Sequence, residues 1–171
     1  MVMKCKTLFK NNVINSDNAT ELFNLLKYNI EWEDGIKSKS GFTRKAKPLN
    51  YGDIKEIDDA IDIALMSLTD IPYVIQGIYL NYYENGNHWT PSHSHKGTHQ
   101  LVISLGETRT LKVGTKSYDM DNGSAIIFGS SSHSVPKDNS INSRISIATF
   151  MITKDKLEEE LIKQLKDLNI Y

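Results

Sequence analysis

Three histidines in the second half of the chain are spaced for metal binding. His93 and His95 are separated by a single residue. On a β-strand, residues i and i+2 point to the same face, so both imidazoles can address one point. His133 follows an apolar run, Ala125 to Phe128, that reads as a separate strand. Two ligands from one strand and a third from another let a β-scaffold hold one face of a metal and leave the opposite positions open. Three imidazoles suit Fe(II), and equally Zn²⁺, Ni²⁺ or Cu²⁺. Taken alone, a His-x-His pair is as readily a chance surface feature; the later histidine is what gives it weight. Beyond His133, Arg144 shares a strand face with Ser146 and Ala148, whose small side chains leave room for a ligand. Earlier in the chain, Asn81 and Tyr83 share a face on another strand.

Short strands must carry these residues. From Tyr73 to Asn81 the sequence has the period of a strand, and Asn85-Gly86 signals a turn. Gln100 to Leu105 is a further strand. Arg109 to Val113 and Lys116 to Tyr118 flank Gly114 as a hairpin would. Asp121-Asn122-Gly123 is another turn, and Ala125 to Phe128 and Arg144 to Ile152 complete the set. Many short strands at regular spacing predict a sandwich or jelly roll. Leu22, Leu25 and Leu26 lie at helical spacing behind a cap at Ser16 or Asp17. A second helix is expected from Asp53, with Glu56 completing a capping box and Ile54, Ile57, Ile61, Ala64, Leu65 and Leu68 forming its apolar stripe. A third, Lys154 to Leu168, is expected to lie against the outside of the sheet through Leu157, Leu161, Leu165 and Leu168, with Asp155 and Glu158 at its cap. Trp32 is read as an aromatic that seals the first helix onto the sheet.

The ordered set of residues resembles the AlkB-like Fe(II)- and 2-oxoglutarate-dependent dioxygenases. It comprises Asn81-Tyr82-Tyr83-Glu84-Asn85-Gly86, His93-Ser94-His95, Ser104-Leu105-Gly106, His133 and Arg144, preceded by Arg44-Lys45 and Tyr51-Gly52-Asp53. The resemblance runs from about Trp32 to Met151 and rests on the order of the motifs. It implies an α+β fold with a double-stranded β-helix (jelly-roll) core, N-terminal helices and a C-terminal helix, as one dioxygenase domain over residues 1–171. The implied metal ligands are His93, His95 and His133. The implied 2-oxoglutarate ligands are Asn81, Tyr83 and Arg144, with Arg144 on the distal carboxylate, for which a guanidinium offers a planar fork. The implied activity is oxidative demethylation or hydroxylation of a nucleobase, with DNA or RNA as partner. Two positions depart from the pattern. His95 stands where the family has a metal-binding Asp, and Phe150 where it has a second arginine. The first leaves the metal two units positive until the co-substrate dianion binds. It also keeps two alternatives open: a catalytically weak nucleic-acid-binding relative, and a cupin-like three-histidine dioxygenase that uses no 2-oxoglutarate. Arg144, Asn81 and Tyr83 argue against the second of these.

Residues 34–53 gather Lys37, Lys39, Arg44, Lys45 and Lys47, a cluster that Glu31, Glu33 and Asp34 precede and that holds no acidic residue. Such a run is as readily a solvated face as a lid. By its place in the family pattern it is read as a substrate-recognition lid in which Arg44 and Lys45 contact phosphates while Phe42 or Tyr51 stacks on a base. A target inside a duplex would have to be flipped out. His99 is a less favoured substitute ligand, and Trp89 a pocket wall.

Composition narrows the classes further. A net charge of -1 with 24% charged residues excludes binding to nucleic acid by bulk charge, though not by a local patch. The single Cys5 excludes an internal disulfide and a cysteine-built zinc site. No apolar run reaches the roughly 20 residues of a membrane helix, and the N-terminus lacks a secretory core. A soluble intracellular protein, monomeric and away from membranes, is expected.

Overall fold

The structure is a computed structural model that describes residues 5–35, 37–38 and 41–168. In chain order the elements begin with β1 (Leu8–Lys10), α1 (Ser16–Asn29), β2 (Glu33–Asp34), β3 (Lys37–Ser38), β4 (Gly41–Phe42), β5 (Lys45–Leu49) and α2 (Lys55–Leu68). The β-rich part follows: β6 (Tyr73–Tyr83), β7 (Thr90–His93), β8 (His99–Gly106), β9 (Arg109–Val113), β10 (Lys116–Met120), β11 (Ala125–Phe128), β12 (His133–Val135) and β13 (Arg144–Thr153), closed by α3 (Lys154–Asp167). A large sheet runs β1-β11-β8-β13-β6-β5-β2 and a small one β10-β9-β12-β7, with β3 and β4 a separate pair. All the strand pairs between these elements are antiparallel. The jelly roll expected from strand spacing and the α+β class implied by the resemblance are both present.

Alternation along the strands builds two cores. Ile78, Leu80, Leu101, Ile103, Leu105, Ile145 and Ile147 face α1 and α2, which bring Leu22, Leu26, Ile57 and Ile61. Tyr83, Val102, Ile126, Phe128 and Ala148 face the small sheet and meet Leu111, Val113, Met120 and Val135. The large sheet is therefore apolar on both sides, which explains why β8, β11 and β13 read as nearly unbroken apolar runs. Trp32 packs on Tyr82, with ring centroids 5.0 Å apart, and closes the end of the helical layer.

The helix starts differ from the sequence reading. Asn15 caps α1, its side chain accepting from the Asn18 N–H at 2.9 Å. At α2 the Asp53 side chain instead accepts from the Asn50 N–H, holding the preceding turn, and Ile54 sits at the cap without a side-chain bond. Thr153 caps α3. That helix touches β13 and β6 but buries none of its residues.

Candidate metal centre and co-substrate pocket

β7 and β12 are neighbours, with His93 directly paired to His133. His95 lies two residues on, just past the end of β7. The ring centroids are 4.2 Å apart for His93 and His133, 4.9 Å for His93 and His95, and 5.6 Å for His95 and His133. One nitrogen from each ring lies within 4.8 Å of the others, so a single ion can take all three. The backbone sets which nitrogen is offered. His93 Nδ1 donates to the Pro91 carbonyl at 2.8 Å and His133 Nδ1 to the Ser131 carbonyl at 3.2 Å, leaving the Nε2 lone pair of both for a metal. Such outer contacts fix tautomer and ring orientation at metal sites. Burial pushes the His133 imidazole down to about 4, and His95 is also lowered, first by burial and then by His93. Both are therefore neutral and ready to ligate at ordinary pH. Phe128 backs His133 at 4.9 Å between centroids, and Phe150 stands edge-on to His95 at 5.0 Å.

From this triad a cavity of about 290 Å³ runs inward between the two sheets. The inward face of β13 lines it with Phe150, Ala148, Ser146 and Arg144, in that order away from His95. Arg144 is 1% exposed, and burial lowers its pKa. Its Nε donates to Ser104 Oγ at 2.8 Å, its guanidinium lies 5.2 Å from the Tyr83 ring, and its Nη1 has no partner. The Ser104-Leu105-Gly106 motif thus orients this arginine through its serine. Its glycine ends β8 at φ +82, with Ser143 and Phe23 packed against the place of a Cβ. Asn81 donates to Ser146 Oγ at 3.2 Å, and the Tyr83 hydroxyl hydrogen-bonds Thr90 Oγ1 at 2.6 Å.

The lid residues scatter. Arg44 is buried and lines the cavity, its Nε donating to Asn81 Oδ1 at 2.6 Å and its Nη1 to Thr43 Oγ1 at 3.2 Å. It is therefore not the surface phosphate contact expected of a basic run. Lys45 lies outside the cavity and pairs with Glu84 at 2.7 Å. Tyr51 is also outside, 45% exposed, its hydroxyl donating to Asp62 of α2. Lys39 lies outside the described residues, as do the side chains of Lys37 and Phe42. His99 bonds Tyr73 through Nδ1 at 2.8 Å and is not one of the triad. Trp89 is no cavity wall, but its N–H joins the Thr43 carbonyl at 2.9 Å. Sequence reasoning missed Gln100, which is buried, lines the cavity and has an unpartnered Nε2. A polar residue opening an otherwise apolar strand was its one signal.

No family model and no curated protein matches this sequence. Solved structures do. A prolyl-4-hydroxylase from Pseudomonas putida superposes at TM-score 0.60 and 14% identity, over 85% of this chain and 91% of that one. An oxidoreductase of the 2OG-Fe(II) oxygenase family from Burkholderia pseudomallei gives TM-score 0.59 and 13% identity, over 85% of each chain. The non-haem α-ketoglutarate-dependent carbocyclase SnoK from nogalamycin biosynthesis gives 0.63 and 10%, over 85% of this chain and 79% of that one. The chain has the fold of the 2-oxoglutarate- and Fe(II)-dependent oxygenases.

Proposed function

We propose that this protein is a 2-oxoglutarate-dependent dioxygenase with Fe(II) held by His93, His95 and His133. One observation carries the reading: a fully buried arginine, Arg144, with an unpartnered Nη1 at the inner end of a cavity whose other end is the histidine triad. A guanidinium held without a counter-ion in a cavity is costly unless a ligand supplies the negative charge. A small dicarboxylate reaching from metal to arginine would do so. When bound, iron and 2-oxoglutarate supply O₂-dependent oxidation of a substrate C–H bond, with succinate and CO₂ as co-products. The chain orients the co-substrate through Arg144, Asn81 and Tyr83 and keeps water away with Val102, Leu111 and Ala148. The test is calorimetry on metal-loaded protein, then succinate release. Arg144→Ala should weaken 2-oxoglutarate by on the order of 2–3 kcal/mol, the worth of a charge-assisted bond, and leave metal content unchanged. Equal affinity in wild type and variant would remove Arg144 from the site.

As substrate, the motif resemblance favours a methylated nucleobase in DNA or RNA. Its support is the sequence pattern around Arg44-Lys45 and the basic residues of 37–47; the inward position of Arg44 and the distance of Tyr51 from the cavity leave Lys45 and Phe42 to carry it. Succinate release stimulated by a methylated oligonucleotide, and weakened by neutralising Lys37, Lys39 and Lys45, would support it. The prolyl hydroxylases among the similar structures supply the rival arm. Stimulation by a proline-containing peptide alone would replace the nucleobase with a protein substrate.

A further inference from the structure

The cavity holds two buried guanidiniums and none of its lining residues is a carboxylate. Elsewhere the chain shows how it satisfies a buried arginine. Arg109, 1% exposed, pairs with Asp138 at 2.7 Å and donates to the carbonyls of Asn85, His88 and Pro136. Arg44 and Arg144 have no such counter-ion among the described residues; the partners given above for each are neutral. Two uncompensated cations in one small cavity call for an anionic ligand that reaches both.

Their placement divides the work. Arg144 stands at the inner end of the face of β13 that reaches Phe150 beside His95. Arg44 sits on Asn81, which pairs with Ser146, one step along that face toward Phe150 and His95. The backbone holds it there: the Thr43 carbonyl accepts the Trp89 N–H at 2.9 Å, tying the rim of the large sheet to the start of β7. We propose that Arg44 is a second co-substrate anchor, binding the carboxylate of 2-oxoglutarate nearer the metal while Arg144 binds the distal one. This rests on the dioxygenase reading.

Calorimetry on Mn²⁺-loaded protein tests it with two ligands, 2-oxoglutarate and 2-oxobutyrate, which shares the 2-oxo acid end but lacks the distal carboxylate. Arg44→Gln should weaken both by a similar factor, roughly 10- to 100-fold for one charge-assisted contact. Arg144→Ala should weaken 2-oxoglutarate alone. Arg44→Lys, which keeps the charge, should recover part of the loss and stands in if Arg44→Gln fails to fold, as judged by metal content and thermal midpoint. In an Asn81→Ala background Arg44→Gln should still cost affinity for both ligands. If it costs nothing there, Arg44 acts only by holding Asn81, and the anchor role is overturned. A loss confined to 2-oxoglutarate overturns the assignment to the metal-side carboxylate. Wild type that binds 2-oxoglutarate while Arg44→Gln is indifferent sinks the Arg44 role alone; wild type that binds no 2-oxoglutarate sinks the dioxygenase reading and this role with it.

Discussion

At His95 the chain places an imidazole that, with His93 and His133, could complete a three-histidine metal face. The ring packs against Phe150 and reaches the same point as His93 and His133. A three-imidazole set is neutral, so a metal held there would keep its full charge until an anion arrived, and divalent metals later in the affinity series than iron would be favoured. His95→Asp should lower that residual charge and raise Fe(II)-dependent 2-oxoglutarate decarboxylation, read as succinate release. A fall from an already robust rate would show that the three-histidine centre is a working variant. The pair was legible because period 2 puts two side chains on one face. Its details were not, since His95 sits just beyond the strand and is turned inward by the loop. Arg44 was misplaced because a cation in a run of cations reads as solvated. Only strand pairing, with Ala46 opposite the cavity-lining Asn81, reveals that the side of this segment two residues from Arg44 looks into the barrel.

At the scale of elements, strands were more legible than helix ends. Apolar runs and Gly-bearing turns mark β8 to β11 plainly, whereas Asp53 is a good capping residue already engaged by the Asn50 N–H, and Ser16 gives way to Asn15 one residue earlier. Gly106 is fixed by its element. At φ +82 it ends β8, and an added Cβ would meet the Ser143 carbonyl oxygen at 2.6 Å and Phe23 at 2.7 Å. Gly106→Ala should cost on the order of 2 kcal/mol or more, from the left-handed backbone and the overpacking together, seen as a lower denaturation midpoint. α3 is the opposite case. Its leucine stripe reads as a packing face, yet Leu161 and Leu165 are 49% and 38% exposed. Periodicity tells that a helix has an apolar side, not that the sheet has room for it. Leu161→Glu with Leu165→Glu should move stability by no more than about 0.5 kcal/mol each, as for exposed positions generally. A large drop would mean that the stripe is covered in solution.

For the whole molecule, alternation foretold a jelly roll but not which strands meet. β13 enters between β6 and β8, and β1 pairs with β11 more than 100 residues later. Side-chain period assigns faces; partners are decided by closing the barrel around both cores at once. The consequence is a division of labour by layer. Ile127 and Phe128 are adjacent on β11 and both fully buried. Ile127 faces the helices, while Phe128 faces the small sheet and touches His133. Ile127→Ala should cost about 2–5 kcal/mol of stability and Phe128→Ala about 3–5 kcal/mol, as large-to-small changes in cores do. Their effects on the metal should differ. Phe128→Ala removes the support of a ligand ring and should weaken Zn²⁺ binding roughly tenfold, in the range of outer-contact changes at metal sites. Ile127→Ala should leave it unchanged, because the sheet itself stands between that side chain and the triad. Competition with a chromogenic chelator, at a temperature where both variants are folded, reads the difference. If both lose metal equally, strain crosses the large sheet and the two layers act as one core.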